Sequence, residues 1–478
     1  MSLDKKNFYI TGTIFYPNDK LHIGHAYTTT VCDILNRYHK LKGENTCFLT
    51  GSDENTGKVT KAAMEAGQST EDFLKGITEG FKKLYVDLNI SYDEFTRTTD
   101  KKNHWPAAIK LWNKLVESGD IYPSVYSGLY CSSCEAFYTE KDLVDGKCPY
   151  HFIVPEKIEE KNYFFRLSKY TDRIKKKIEN NEFEVVPDSR KNEILALLKR
   201  GLDDISFSRP IKNVLHGIPV PGDPEQVIYV WCDALVSYIS GIGYGTDEKK
   251  FNKFWPADVH VIGKDILRFH AAIWPAMLLS AGLPLPKKLL VHGFITSQGK
   301  KMSKSIGNVV DPYDLINEFG SEAVRYYLAR EISPFEDGDL TIEKFKEAYN
   351  ANLANGLGNL TSRIMKMATT YLTDWPEIPQ SSSPKEFYDF LDSFEINKAT
   401  NFIWEEIGAL DQKIQDEKPF TLIKTDPEKA KECISDLVLR LYGIARMLKS
   451  VLPETSQNIK DLIRNKKMPE KPLFLRKD

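Results

Sequence analysis

Hydrophobic and polar positions follow two different rhythms along this chain. From Asn7 to Ile14 the residues are apolar or β-prone without helical spacing, which predicts a strand. The polar loop Tyr16-Pro17-Asn18-Asp19-Lys20 follows. From Gly24 to Leu41 the apolar positions Val31, Ile34, Leu35, Tyr38 and Leu41 recur every three or four residues, which predicts a helix with Gly43 as its stop. Thr46–Leu49 reads as a second strand, completing a βαβ unit and with it an α/β domain on a parallel sheet. Further strands are expected at Val227–Val230, Val259–Ile262 and Leu289–His292, with a helix around Leu267–Ala281. The α/β pattern thus stops before about residue 115 and resumes near 225, so the segment between reads as an insertion. Beyond about residue 340 strand signals fade. Helical spacing runs through Asn359 and Arg363 to Thr370, then in pieces over Ser382–Leu410, then over Pro427–Leu448, with a Pro/Ser-rich loop near Trp375–Pro379. The expected organisation is therefore 1–115 and 226–295 as two halves of one α/β domain, 116–225 as an insertion, 296–345 as a linking region, and 346–478 as an all-α bundle.

Composition narrows the class without naming a partner. The 478 residues carry 65 Lys+Arg against 67 Asp+Glu, a formal net charge of -2, with 41% hydrophobic and 28% charged residues. That balance excludes a disordered chain and a uniformly basic nucleic-acid binder, but not a local basic face. No stretch approaches the roughly 18 apolar residues of a membrane span, and the start lacks the apolar core of an export signal. A cytoplasmic location is the expectation, and seven cysteines, an odd number, agree with a reducing compartment.

Three of those cysteines crowd together. Cys131 and Cys134 form C-x2-C, and thirteen residues later Cys148 and His151 form C-x2-H. Three thiolates and one imidazole at this spacing suit a tetrahedral Zn2+ with no open position, hence a structural metal.

Two short motifs carry chemistry. His22-Ile23-Gly24-His25 lies where the first strand gives way to its helix, so a helix N-terminus and two imidazoles can face phosphate oxygens while Gly24 allows close backbone approach. Lys301-Met302-Ser303-Lys304-Ser305 follows a loop with Gly299 as a hinge candidate, and its lysines suit the charge that develops on a polyphosphate leaving group. Each motif alone is weak. Together, about 280 residues apart and in a βαβ context, they resemble the HIGH and KMSKS motifs of class I aminoacyl-tRNA synthetases.

Over nearly the whole chain the resemblance sharpens to the methionyl-specific family, in its short bacterial form with a single zinc knuckle. It is carried by Leu49–Glu54, Tyr229–Leu235, Ile262–Ile266, His270 and Trp274-Pro275, and by the closing Pro472–Arg476. It implies a Rossmann-type catalytic domain that joins L-methionine to ATP and passes the methionyl group to tRNA(Met), the initiator included, with Mg2+ accompanying ATP. It also implies a monomer with no appended dimerisation domain. His22, Gly24, His25, Gly263, Asp265, Lys301 and Lys304 would serve ATP, with His22, His25, Lys301 and Lys304 catalytic. Ile14, Tyr16, Trp231, Ala234, Leu235, Tyr238, Ile266 and His270 would line the thioether pocket, and Asp53 would take the α-amino group. Asn359, Arg363 and Phe420 would meet the anticodon.

Two departures stand out. Asn55-Thr56 replace a usual His-Gly pair, and Phe420 replaces a usual tryptophan, keeping a π face but losing the indole N–H. Phosphate binding on the bundle must come from a localised basic face, for which Lys366 and Arg464–Lys467 are candidates. The competing readings are another class I synthetase of apolar specificity and a tRNA-binding paralogue without catalysis. The short insertion, without room for a large editing domain, and the two intact motifs count against them.

Overall fold

The computed structural model describes residues 5–133, 135–150, 152–213, 217–302, 308–379 and 383–478. Cys134, His151 and Lys304 lie outside them, as do Ser303 and Ser305. The chain forms two compact units. One comprises residues 1–20, 43–83 and 91–292, and the other 21–42, 84–90 and 293–478.

The first unit is built on six parallel strands: β1 (Asn7–Phe15), β2 (Asn45–Ser52), β3 (Glu94–Arg97), β4 (Glu184–Val186), β5 (Val259–Gly263) and β6 (Lys288–His292). Their order is β3-β2-β1-β5-β6-β4, so chain direction across the sheet reverses between β1 and β5. In open α/β sheets ligands bind at the carboxyl ends of the strands flanking such a reversal. The central strands are apolar on both faces, as a sheet covered on both sides requires, and Tyr9, Ile10, Phe48, Leu49, Val261 and Leu290 are fully buried. β1 carries one extra residue, since Thr11 pairs with Leu49 but Ile14 with Gly51. This bulge re-aims the end of β1 where Ile14 and Tyr16 emerge. Gly51 is required there: a Cβ would sit 2.2 Å from the carbonyl oxygen of Thr96.

Two expectations are corrected. Val227–Val230 is not a strand of the parallel sheet. Asp223–Ile228 lies in a separate antiparallel sheet, and a helix, Val230–Ser240, starts at once. Every residue of that helix is buried, its polar stripe Asp233, Ser237 and Ser240 included, so no charged solvent face marks it and its apolar start reads as a strand. In addition β4, which lies between residues 116 and 225, pairs with β6 in the parallel sheet. Its three residues are too few to give a periodic signal.

The second unit holds the helix Ile23–Leu41 and the C-terminal helices, among them Ile396–Glu417, Pro427–Val451 and Pro453–Arg464. One buried ion pair organises it. Arg325 and Asp33, both with fully buried side chains, meet at 2.7 Å. The same guanidinium donates to the carbonyls of Leu88, Ser450 and Val451, so its donors are spent on specific partners. Among the described residues no helix is long and apolar enough to cross a membrane.

Candidate active site

In the first unit the candidate methionine residues gather at the carboxyl ends of β1, β2 and β5. Asp53 follows β2, and its backbone N–H donates to Phe15 at 2.9 Å. The side chain is buried, and its Oδ1 has no hydrogen-bond partner among the described residues. The Tyr16 hydroxyl is buried and unpartnered in the same way. Burial pushes the Asp53 carboxyl well above the usual carboxylate range, with Asp233 and Glu135 adding to the rise and Lys58 opposing it. A buried acceptor left open in this way is costly unless a cation comes to it.

The apolar side of the site is aromatic. Trp231 stacks on Phe269 with centroids 3.7 Å apart and planes 11° apart, while Ile14, Ala234 and Leu235 are buried. His270 is fixed as a tautomer. Its Nδ1 lies 3.0 Å from the Ile266 carbonyl, which can only accept, so the ring proton sits there and Nε2 accepts from the Tyr238 hydroxyl at 2.8 Å. Burial lowers the His270 pKa to about 4, so the ring is neutral at pH 7. A second buried histidine backs the first. Trp274 donates to Nε2 of His260, leaving Nδ1–H to donate to Thr11. Gly263 ends β5, and Asp265 and Ile266 lie in the short turn after it.

A network around this pocket joins residues whose contacts the sequence did not show. The Asn55 amide donates to the Thr98 carbonyl at 2.9 Å and to Asp233 at 2.8 Å. Asp233 in turn meets His104 at 2.6 Å, and His104 reaches Ser240. Asn55, in the place of the family's usual histidine, therefore caps a buried polar chain behind Asp53. Glu135 is also buried and faces Lys58 and Thr56, while the Lys58 ammonium sits 3.9 Å over the Tyr16 ring. These residues are brought together from positions 55, 58, 104, 135 and 233, so no local motif announces them.

The nucleotide motifs belong to the second unit. His22 caps the helix Ile23–Leu41. Its Nδ1 accepts from the Gly24 N–H at 3.1 Å, and Nδ1 of His25 accepts from the His22 N–H at 3.1 Å. The rings stack 3.8 Å apart. With both Nδ1 atoms accepting from backbone, the proton of a neutral ring at either position lies on Nε2. Burial, with His22 adding, holds His25 well below the usual histidine range. A Cβ on Gly24 would lie 2.9 Å from the His22 ring, so only glycine lets the imidazole fold back on the helix start.

Lys300 and Lys301 pair antiparallel with Ile295–Ser297 through a two-residue turn, Gln298-Gly299, with φ of 55° and 70°. Both values suit a type I′ hairpin turn. Asp339 pins that turn by accepting from the Gly299 N–H at 2.8 Å. Gly299, expected as a hinge, thus sits in a tight hairpin. Val310, beyond the motif, accepts from the Ile23 N–H at 3.2 Å and ties this segment to the start of the histidine-bearing helix.

Cys131 and Cys148, the two described members of the cysteine cluster, are both fully buried. The chain around Cys148 turns tightly, with Cys148 and Ile153 hydrogen-bonded and Phe152 at φ 57°. Val144, Phe152 and Val154 in the same lobe are exposed, while Phe137 packs among Tyr126, Tyr130 and Tyr229. Two buried sulfurs at this spacing fit a structural Zn2+. Among the described residues no group of three or more His, Cys, Asp or Glu side chains is placed to hold a metal.

On the bundle, Asn359 and Arg363 lie one turn apart on the helix Asn359–Tyr371. Arg363 pairs across to Asp411 on Ile396–Glu417, a contact the sequence reading missed. Phe420 lies just beyond that helix and is 47% exposed, unusual for a large apolar ring.

A family model described as tRNA synthetases class I (M) matches residues 8–153 and 152–365. A methionine–tRNA ligase of Clostridium acetobutylicum is 44% identical over 474 residues, covering 96% of this chain and 73% of that protein. One from Thermotoga maritima is 41% identical over 485 residues, covering 97% of this chain and 76% of that protein. A structure of Mycobacterium tuberculosis methionyl-tRNA synthetase in complex with methionyl-adenylate superposes with a TM-score of 0.89 at 36% identity, covering 96% of this chain and 94% of that one. With its reversed parallel sheet, its paired histidines at the helix start and this degree of identity across both units, the chain belongs to the methionine-specific family of class I tRNA synthetases.

Proposed function

We propose that the open Asp53 carboxylate is the anchor for the α-amino group of methionine, and this single buried, unpartnered acceptor carries the residue-level reading. The enzyme is a methionine–tRNA ligase. It activates methionine with ATP to methionyl-adenylate and pyrophosphate, then transfers the methionyl group to the 3′ end of tRNA(Met), initiator tRNA included.

The chemistry follows from positioning and charge. Methionine carries a flexible, polarizable thioether, and Trp231, Leu235, Ala234, Ile14 and Ile266 supply soft apolar wall. Because His270 Nε2 is already taken as an acceptor, the polar face turned toward the sulfur is limited to Tyr238, Tyr16 and the neutral ring itself. A charged histidine there would penalise an uncharged thioether, and burial prevents it. Asp53, once met by an ammonium, regains its charge as a charge-assisted contact.

Attack of the methionine carboxylate on the α-phosphorus forms one P–O bond as the bond to pyrophosphate breaks. His22 and His25 offer Nε2–H donors to the phosphates, and Lys301 and Lys304 would neutralise the departing pyrophosphate. Gly263 and Asp265 take the ribose and adenine side. Mg2+ enters with ATP as part of the substrate. Cys131, Cys134, Cys148 and His151 would hold a structural Zn2+ that orders the insertion, and Asn359, Arg363 and Phe420 would read the anticodon. The organisation into 1–115, 116–225, 226–295, 296–345 and 346–478, a monomeric state and a cytoplasmic location complete the proposal.

Charging of tRNA(Met) with labelled methionine by the wild type and Lys304→Ala tests it. The variant should charge at least tenfold more slowly while binding methionine with unchanged affinity. Wild-type protein that does not charge tRNA(Met), or a variant with an undiminished activation rate, overturns it.

A further inference from the structure

The C-terminal helices carry a cluster of cations that the anticodon reading does not use. Tyr442, Arg446 and Lys449 lie on one stripe of the helix Pro427–Val451, and Lys460 and Arg464, four residues apart, on one stripe of Pro453–Arg464. The two stripes meet around Tyr442. The guanidinium carbons of Arg446 and Arg464 lie 5.8 and 5.9 Å from its ring, and Arg464 donates to its hydroxyl at 3.0 Å.

Lys460 sits between them with 8% of its surface exposed. Among the described residues no carboxylate forms an ion pair with Lys449, Lys460 or Arg464. The strongest electrostatic neighbours of Lys460 are Lys449, Arg446 and Arg464, with Asp461 alone opposing them. An ammonium on a largely buried stem and crowded by like charges is a costly arrangement for a fold to keep. Like charges four apart on a helix add to the cost. An anion seated among the four would add an attraction to each cation and offset their mutual repulsion.

We propose that Arg446, Lys449, Lys460 and Arg464 form a phosphate-binding site for the sugar–phosphate backbone of the bound tRNA. This rests on the tRNA-charging reading and extends it to a part of the bundle that the anticodon residues do not reach. Arg446 lies nineteen residues up its helix from Pro427, about 28 Å at 1.5 Å per residue. Pro427 itself follows Phe420 by only seven residues. The site is therefore set for a phosphate well up the stem, where no base identity is read. Burial and the three neighbouring cations lower the Lys460 ammonium to about 8, and a phosphate would hold it charged.

The test compares wild type, Lys460→Met and Arg464→Gln for tRNA(Met) binding as a function of salt, and for melting temperature with and without inorganic phosphate. Each variant should weaken tRNA binding about three- to tenfold and reduce the salt slope by about one. The loss should be the same for tRNA with an altered anticodon. Lys460→Met should melt no lower than wild type, and up to about 3 °C higher, because it relieves crowding of like charges.

Unchanged tRNA affinity in both variants overturns the proposal. So does a Lys460→Met protein that melts lower while Arg464→Gln binds tRNA normally, since Lys460 would then be a packing residue. Stabilisation of wild type by inorganic phosphate with no change in tRNA affinity in either variant would assign the site to a free anion instead. Failure of the tRNA-charging reading is seen separately, in wild-type protein that does not charge tRNA at all.

Discussion

The buried Oδ1 of Asp53 has no hydrogen-bond partner among the described residues, and an ammonium is the group that would satisfy it. Asp53→Asn keeps the volume and removes the charge. It should raise the methionine KM about 10- to 100-fold in ATP–pyrophosphate exchange, the range for a hydrogen bond to a charged group. An unchanged KM would remove Asp53 from the amino-group site. His270 makes a second prediction, in stability. Its pKa is about 4 in the folded chain against 6.5 unfolded, so between those values the unfolded state binds more protons. Stability from this group is whole above about pH 6.5 and is lost as pH falls toward 4, on the order of 3 kcal/mol in full. Melting temperatures of His270→Gln should therefore fall less steeply than wild type between pH 6.5 and 4.5, and parallel curves would contradict the assignment. At this scale contiguous motifs marked candidates, such as Asp53, Trp231, Tyr238, His270 and the His22–His25 pair. It did not show the Asn55–Asp233–His104 chain or Glu135. Those contacts exist only after strands far apart in sequence pair, and none of the four residues has a characteristic spacing.

Among the elements, the bulge in β1 and the turn after β5 do the positioning, because they aim Ile14, Tyr16 and Ile266 from neighbouring strand ends. The βαβ start and the strands at Val259 and Leu289 were legible because alternating or continuous apolar runs flanked by turns leave few alternatives. The helix Val230–Ser240 was not, since burial on all sides leaves a short stripe of Asp233, Ser237 and Ser240 in place of a charged solvent face. The insertion presents the opposite case, with cysteine and histidine spacing as its whole signal, and Cys131 and Cys148 are both buried. Cys148→Ser should lower bound zinc from about one per chain. It should also speed hydrogen exchange in the strands Ile121–Cys131 and Ala136–Tyr138 well before global unfolding. A variant with full zinc and unaltered exchange would overturn the four-ligand site.

For the molecule as a whole, a net charge of -2 concealed separate concentrations of positive charge. The cations around Tyr442 lie within the second unit, while the first unit holds the buried Asp53 carboxyl. Averaged charge hides this arrangement, and the fold of each unit reveals it. Both units are spanned by relatives that are methionine–tRNA ligases. ATP–pyrophosphate exchange with each of the twenty amino acids tests this central claim most directly. Exchange driven by methionine, with the other nineteen at background, is the predicted result; exchange driven by another amino acid, or by none, would contradict it.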